Sequence, residues 1–208
     1  MKSYSQSRED LFVASYFKNY TGTLLSIGEN DGLTFSNAKL LLEKNWRGHL
    51  IEPGRTFTDL VKLHYTNPNV SLYNYAIGGE FQTEATFFES GAHVIGGSDM
   101  GLVSTLDFEE TERWRKSGVQ FTETKVPVKT FRDFWNEAGK PQLDYISIDA
   151  EGHDWDILQQ IDLKEVGCRC LIIEWNTDPN LYFLFGEYCN RYGMNVYSSN
   201  NENLIFIL

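Results

Sequence analysis

Short apolar runs, each stopped by a glycine or an acidic residue, alternate with longer amphipathic stretches along the 208 residues of the chain, and this alternation leaves few folds open. A run that is apolar on both sides must be covered on both faces. That is the condition of a parallel sheet wrapped by helices, not of a sandwich or a bundle. Strands are expected at 23–27, 49–52, 70–77, 83–88, 125–128, 143–149 and 170–175, and helices at 9–18, 36–44, 57–65, 130–138, 155–161 and 181–192. Residues 195–197 and 203–208 read as a closing hairpin, with 204–208 as an edge strand that leaves dimerisation open. No internal repeat or linker interrupts the pattern, so a single domain over 1–208 is expected, with an insertion at roughly 80–128 that carries Gly91, Gly96, Gly97 and Gly101.

Charge narrows the partners. Lys and Arg number 18 against 29 Asp and Glu, a net charge of −11, which repels nucleic-acid backbones and anionic lipid, so neither is expected as a partner. No uncharged apolar run is long enough to cross a bilayer, no signal peptide is evident, and a cytoplasmic protein is expected. Cys168, Cys170 and Cys189 cannot all pair and lack zinc or redox spacing, so they read as reduced packing residues.

In open α/β sheets ligands sit beyond the carboxyl ends of the strands. Here those ends are acidic: Gly28-Glu29-Asn30-Asp31-Gly32, Glu52-Pro53, Asp149-Ala150-Glu151-Gly152 and Glu174-Trp175-Asn176. A dinucleotide site wants three spaced glycines so that backbone N–H groups can face a pyrophosphate. The first loop has only two, with carboxylates between them, which would repel a pyrophosphate and attract a cationic ligand such as S-adenosylmethionine. Glu52 lies 24 residues after Gly28 (52 − 28), near the spacing of about 20 at which a carboxylate accepts both hydroxyls of an adenosine ribose.

These pieces resemble the FkbM family of class I S-adenosylmethionine-dependent methyltransferases, which act largely as O-methyltransferases on sugar and natural-product hydroxyls. The resemblance covers nearly the whole chain and rests on Tyr4-Ser5-Gln6 with Glu9-Asp10, Ile27 to Gly32 with Ser36-Asn37, Trp46-Arg47-Gly48 leading to Ile51-Glu52-Pro53, Asn74 to Gly78, Ile148 to Asp154, and Ile172-Ile173-Glu174. Glu29 departs from it, since the family more often has a small residue there. The resemblance implies a Rossmann-like α/β fold with a mostly parallel seven-stranded sheet, helices on both faces and a C-terminal antiparallel hairpin. It also implies that Gly28, Asn30, Asp31 and Gly32 line the methionine part of the cofactor, that Glu52 with Pro53 takes the ribose, and that Ala76 and Ile77 flank the adenine. Gln6, Asp10, Ser36, Asn37 and Asp149 would complete the cofactor site.

Methyl transfer to a sugar hydroxyl needs a general base or a metal, because the hydroxyl is a very weak acid. Asp149 and Glu151 are the first candidates for the base and His153 the third, although Asp149 or Glu151 could instead cap the following helix. Asp149, Glu174 and Asn176 form an oxygen-rich set that would suit Mg²⁺ or another divalent cation. Trp114, Trp135 and Trp175 are read first as core or interface packing and second as platforms for a pyranose face, with Trp175 the preferred platform, and the loop with His93, Ser98 and Asp99 reads equally as an acceptor lid or a surface insertion. The expected activity is O-methylation of a sugar or glycan hydroxyl of deoxyhexose type. The competing readings are a nicotinamide-dependent sugar-modifying enzyme, disfavoured by the missing glycine and by the absence of a Tyr-x-x-x-Lys pair, and a non-catalytic sugar-binding module.

Overall fold

The computed structural model of the chain describes residues 2–91 and 101–208. In chain order the elements are α1 (Glu9–Phe17), β1 (Thr23–Ile27), α2 (Lys39–Glu43), β2 (Arg47–Ile51), α3 (Phe57–His64), β3 (Val70–Tyr73), β4 (Ala76–Ile77) and β5 (Glu84–Glu89). They continue with α4 (Phe108–Arg115), β6 (Thr122–Lys129), α5 (Phe131–Glu137), β7 (Tyr145–Ile148), α6 (Asp154–Leu158), β8 (Cys170–Glu174), α7 (Pro179–Asn190), β9 (Asn195–Ser199) and β10 (Asn203–Ile207). Seven strands form the main sheet in the order β3-β2-β1-β7-β8-β10-β9, parallel from β3 to β8 and antiparallel through the last two. The expected α/β architecture is what the chain adopts.

The two-residue period of the strands divides the core. Leu25, Ile27, Ile51, Ile146, Ile148, Leu171 and Ile173 pack on one face against α5, α6 and α7 through Phe131, Phe134, Ile157, Leu158 and Phe185. Their neighbours Leu24, Leu50, Tyr145, Cys170 and Ile172 pack on the other face against α1, α2 and α3 through Val13, Phe17, Leu41 and Leu60. The central strands are therefore apolar on both faces except at Ser26 of β1 and Ser147 of β7, which are buried too, because both faces are covered. The three cysteines are buried and free, as expected.

Four expectations need correction. The run at 70–77 is two strands: β3 ends at Tyr73, and Asn74 turns the chain by donating its side-chain N–H to the carbonyls of Glu52 and Pro53 at 2.9 and 3.2 Å. β4 then joins β6 and β5 in a separate three-stranded sheet. The helix α4 was not anticipated, because its sequence is charged nearly all round and shows no apolar stripe. Its signals were local: Asp107 accepts the N–H of Glu109, acids fill the first turn, and Glu110–Arg113 and Glu112–Arg115 pair three residues apart. Finally, residues 204–208 are not an edge, since β10 is enclosed between β8 and β9, and the exposed edge is β9. The helix expected at 36–44 forms only over Lys39–Glu43, because Ser36 turns its hydroxyl to accept the N–H groups of Ala38 and Lys39. Of the glycine-rich stretch, His93, Ser98 and Asp99 lie outside the described residues.

Candidate active site

β1 has β2 on one side and β7 on the other, both parallel to it, so the connections leave its carboxyl end in opposite directions and open a crevice there. A cavity of about 360 Å³ occupies this crevice. Its lining includes six carboxylates, Glu29, Glu52, Asp149, Glu151, Glu174 and Glu202, and one guanidinium, Arg113.

The loop after β1 forms one wall. Gly28 has φ +79° and its N–H, like that of Glu29, donates to the carbonyl of Ile51, at 3.0 and 3.1 Å. A β-carbon at Gly28 would overlap the carbonyl oxygen of Asp149, so only glycine lets β1 and β7 close here. Asn30 is left-handed at φ +55° and donates its backbone N–H to Glu52 Oε2 at 2.9 Å, while Gly54 N–H donates to Glu52 Oε1 at 2.7 Å. Glu52 thereby holds the two loops together, and its carboxylate lines the cavity as an acceptor for a ligand hydroxyl. Both side-chain polar atoms of Asn30 are buried in the cavity lining with no partner among the described residues. That is the mark of a group awaiting a ligand.

Glu29 is buried and accepts the hydroxyl of Ser36 at 2.5 Å. Burial pushes its carboxyl up to about 7, with the hydrogen bonds of Ser26 and Ser36 pulling the other way. Pro53, Ala76 and Ile77, with Phe87 from β5 and Leu106, supply an apolar slot beside Glu52.

The acidic end lies beyond β7 and β8. Oxygens of Asp149, Glu151 and Glu174 come within 4.8 Å of one another. Burial raises all three carboxyls above their ordinary range, with Asp149 acting further on Glu151 and both of them on Glu174. Glu151 has φ +46°, a costly conformation for this residue, and its carbonyl is held by the Thr105 hydroxyl at 2.6 Å. Neither Asp149 nor Glu151 caps α6, whose N-cap His153 makes no side-chain cap bond, and Asp154 at its start instead braces the preceding loop by accepting the N–H groups of Ala150 and Gly152, at 3.1 and 3.2 Å. Glu151 Oε2 and His153 Nδ1 are buried and have no partner among the described residues.

Of the residues singled out from sequence, Gln6, Gly28, Asn30, Ser36, Asn37, Glu52, Pro53, Ala76, Ile77, Asp149, Glu151, His153, Glu174 and Asn176 all line this cavity. Asp10, Asp31 and Gly32 do not line it. Asp10 accepts the Tyr4 N–H and the Ser3 hydroxyl, tying down the segment that carries Gln6. Asp31 folds back on the N–H groups of Leu33 and Thr34. Gly32 packs toward Leu60 and Leu63 of α3. Of the expected metal set, Asp149 and Glu174 come together with Glu151 as a third carboxylate, and Asn176 lines the same cavity beside Glu174.

Trp175 also lies outside the lining: its ring packs on Tyr182 and its indole N–H donates to Asn200 O at 2.9 Å. Trp135 is core and donates to Pro141 O. Trp114 is the tryptophan in the cavity, and its buried indole N–H has no partner among the described residues. Sequence reasoning missed Arg113, Phe87, Ser147, Glu202 and Asn203, which reach the cavity from α4, β5, β7 and the β9–β10 turn. Only the acidic and Asx character of Glu202-Asn203 was a visible signal.

The sequence matches the family described as Methyltransferase FkbM domain over residues 26–191. Among curated proteins none matches. Similar solved structures include the METTL16 MTase domain (TM-score 0.53, 10% identity, covering 97% of this chain and 67% of that one). A methyltransferase from Geobacter sulfurreducens is also similar (TM-score 0.51, 10% identity, 99% and 79% covered). At such identities the likeness shows the fold, a class I methyltransferase-like α/β sheet. The family match, over a span running from the end of β1 to the end of α7, sets aside the nicotinamide reading: the chain belongs to the FkbM methyltransferase family.

Proposed function

We propose that the protein transfers the methyl group of S-adenosylmethionine to a hydroxyl of a sugar or glycan of deoxyhexose type. The observation that carries this reading is the juxtaposition, in one cavity, of the Glu52-braced β1 loop with an unpaired buried carboxylate oxygen of Glu151. The unpartnered amide of Asn30 and the acidic lining fit a ligand that carries ammonium, sulfonium and ribose hydroxyls. Bound there, it supplies an activated methyl that needs only an aligned oxygen nucleophile.

The chain's own part is to position the acceptor and take its proton. Glu151 accepts it, because its burial and the neighbouring charge of Asp149 raise its proton affinity toward that of a useful base. His153, at the same wall, is the alternate acceptor. Trp114 offers an indole face and a free N–H to a sugar ring. The net charge of −11 supports an acceptor other than nucleic acid, and no helix among the described residues is long and apolar enough to cross a membrane.

A second reading of the acidic end is favoured by the grouping of Asp149, Glu151 and Glu174: an oxygen-ligated divalent cation such as Mg²⁺, which would acidify the acceptor hydroxyl. Isothermal titration with S-adenosylhomocysteine, followed by transfer of isotopic methyl to a panel of deoxyhexosides with Mg²⁺ or with chelator, tests both. Micromolar binding with methylation of a sugar hydroxyl supports the proposal, and chelator sensitivity supports the cation. Binding without transfer to any acceptor favours a non-catalytic module, and no binding by the folded protein overturns the reading.

A further inference from the structure

Glu174 and Asn203 are direct partners across the antiparallel ladder of β8 and β10, so their side chains stand side by side on the same face of the sheet. Both are more than nine-tenths buried and both line the cavity. The orientation of Asn203 is set from behind. Its Nδ2 donates to Glu9 Oε1 at 3.1 Å, and Glu9 also accepts Asn200 Nδ2 at 2.7 Å and Ser7 N–H at 2.9 Å. The amide thus turns its N–H group to Glu9 and leaves its carbonyl oxygen forward. That oxygen is buried and has no partner among the described residues. The backbone beside the pair is locked as well, since Trp175 and Asn176 N–H both donate to Glu202 O, at 2.7 and 3.3 Å.

The fixed carbonyl accepts hydrogen bonds and cannot give them, and the carboxyl beside it, held above its ordinary range by burial and by Asp149, Glu151 and Asp154, ionises where a cation meets it. The ligand group that meets them must donate more than once. It also meets crowded buried carboxyls, since Asp149, Glu151 and Asp154 all raise Glu174, and Arg113, the guanidinium in the lining, is paired with Glu110 at 3.1 Å. A neutral hydroxyl would satisfy lone pairs but bring no countercharge that lets Glu174 ionise. A protonated amine satisfies both, donating up to three N–H bonds of about 2.8 Å.

Resting on the methyltransferase reading above, we propose that the acceptor is an amino sugar or a similar amino alcohol whose ammonium is held by Glu174 and the Asn203 carbonyl, with the reacting hydroxyl toward Glu151. The site selects its acceptor by charge on the β8–β10 side and does its chemistry on the β7 side.

The test uses the full chain and three probes: methyl 2-amino-2-deoxyglucoside, its N-acetyl derivative and methyl glucoside. Each is titrated calorimetrically at pH 6.5, with and without saturating S-adenosylhomocysteine. The ammonium probe is expected to bind at least tenfold more tightly than the other two. The preference should vanish in Glu174→Gln, shown by melting to be folded, and in the wild type at a pH above the amine's own pKa. Equal affinities, no binding of any probe, or a preference that survives Glu174→Gln overturns the proposal, as does displacement of the ammonium probe by equimolar Mg²⁺. Failure of S-adenosylhomocysteine to bind overturns the methyltransferase reading alone, because the probe titrations without it still decide the ammonium site.

Discussion

The α-carbon of Gly28 lies directly against the carbonyl oxygen of Asp149, so the first loop and the β7 end of the cavity meet with no room for a side chain. Gly28 also has a left-handed φ of +79°. Gly28→Ala is therefore expected to cost more than about 3 kcal/mol, through strain and forced separation of β1 from β7. Urea denaturation measures the loss, and a variant within about 0.5 kcal/mol of the wild type would show that the contact relaxes freely.

Glu52 joins two roles in one carboxylate, bracing the N–H groups of Asn30 and Gly54 while lining the cavity. Glu52→Ala should weaken S-adenosylhomocysteine binding by about 10- to 100-fold, the worth of hydrogen bonds to a charged acceptor. Calorimetric titration reads this directly, and unchanged affinity would remove Glu52 from the cofactor site.

The buried carboxyl of Glu29 sets a pH dependence of stability. Its value in the folded protein rises from 4.5 to about 7 because burial disfavours the charge. The native state thus holds a proton that the unfolded chain has released, so this contribution is complete below pH 4.5 and is lost as pH climbs through 7. The loss is on the order of 3 kcal/mol. Glu29→Gln keeps an acceptor for Ser36 without the charge, and should match the wild type near pH 4.5 and exceed it at pH 8 by several degrees in Tm. Parallel melting curves at the two pH values decide it, and identical slopes would mean that Glu29 ionises without cost.

Two tryptophans are expected to separate binding from stability. Trp114→Ala should raise the acceptor KM by about 5- to 30-fold, a loss of about 1–2 kcal/mol, with S-adenosylhomocysteine affinity unchanged. Trp175→Ala removes the packing on Tyr182 and the bond to Asn200, and should lower stability by about 2–4 kcal/mol with KM preserved. Steady-state kinetics and thermal melts on the two variants test the division, which a KM effect at Trp175 would reverse.

Much of the cavity was legible before any fold was known, because its first wall is local. A strand that must be buried on both faces, a glycine where the chain turns, and a carboxylate at the next strand end are short-range requirements written in consecutive residues such as Ile27-Gly28 and Ile51-Glu52. The acidic strand ends were legible for the same reason. Asp31 and Asp10 misled because sequence shows that a carboxylate is near a site without showing which N–H groups it faces. Asp31 closes on its own turn and Asp10 on the N-terminal segment.

Local pattern thus determined the alternation of strands and helices, the carboxyl-edge location of the chemistry and the identity of the β1 and β2 loops. Tertiary structure alone decided that β10 enters between β8 and β9, placing Asn203 opposite Glu174 about thirty residues away in sequence. It alone brought α4, a helix without an apolar stripe, over the cavity with Trp114, and joined Glu151 to Asp149 and Glu174. The physical reason is range: strand and turn preferences act over a few residues, whereas side-chain proximity across a sheet depends on strand order and register, which the whole core sets at once.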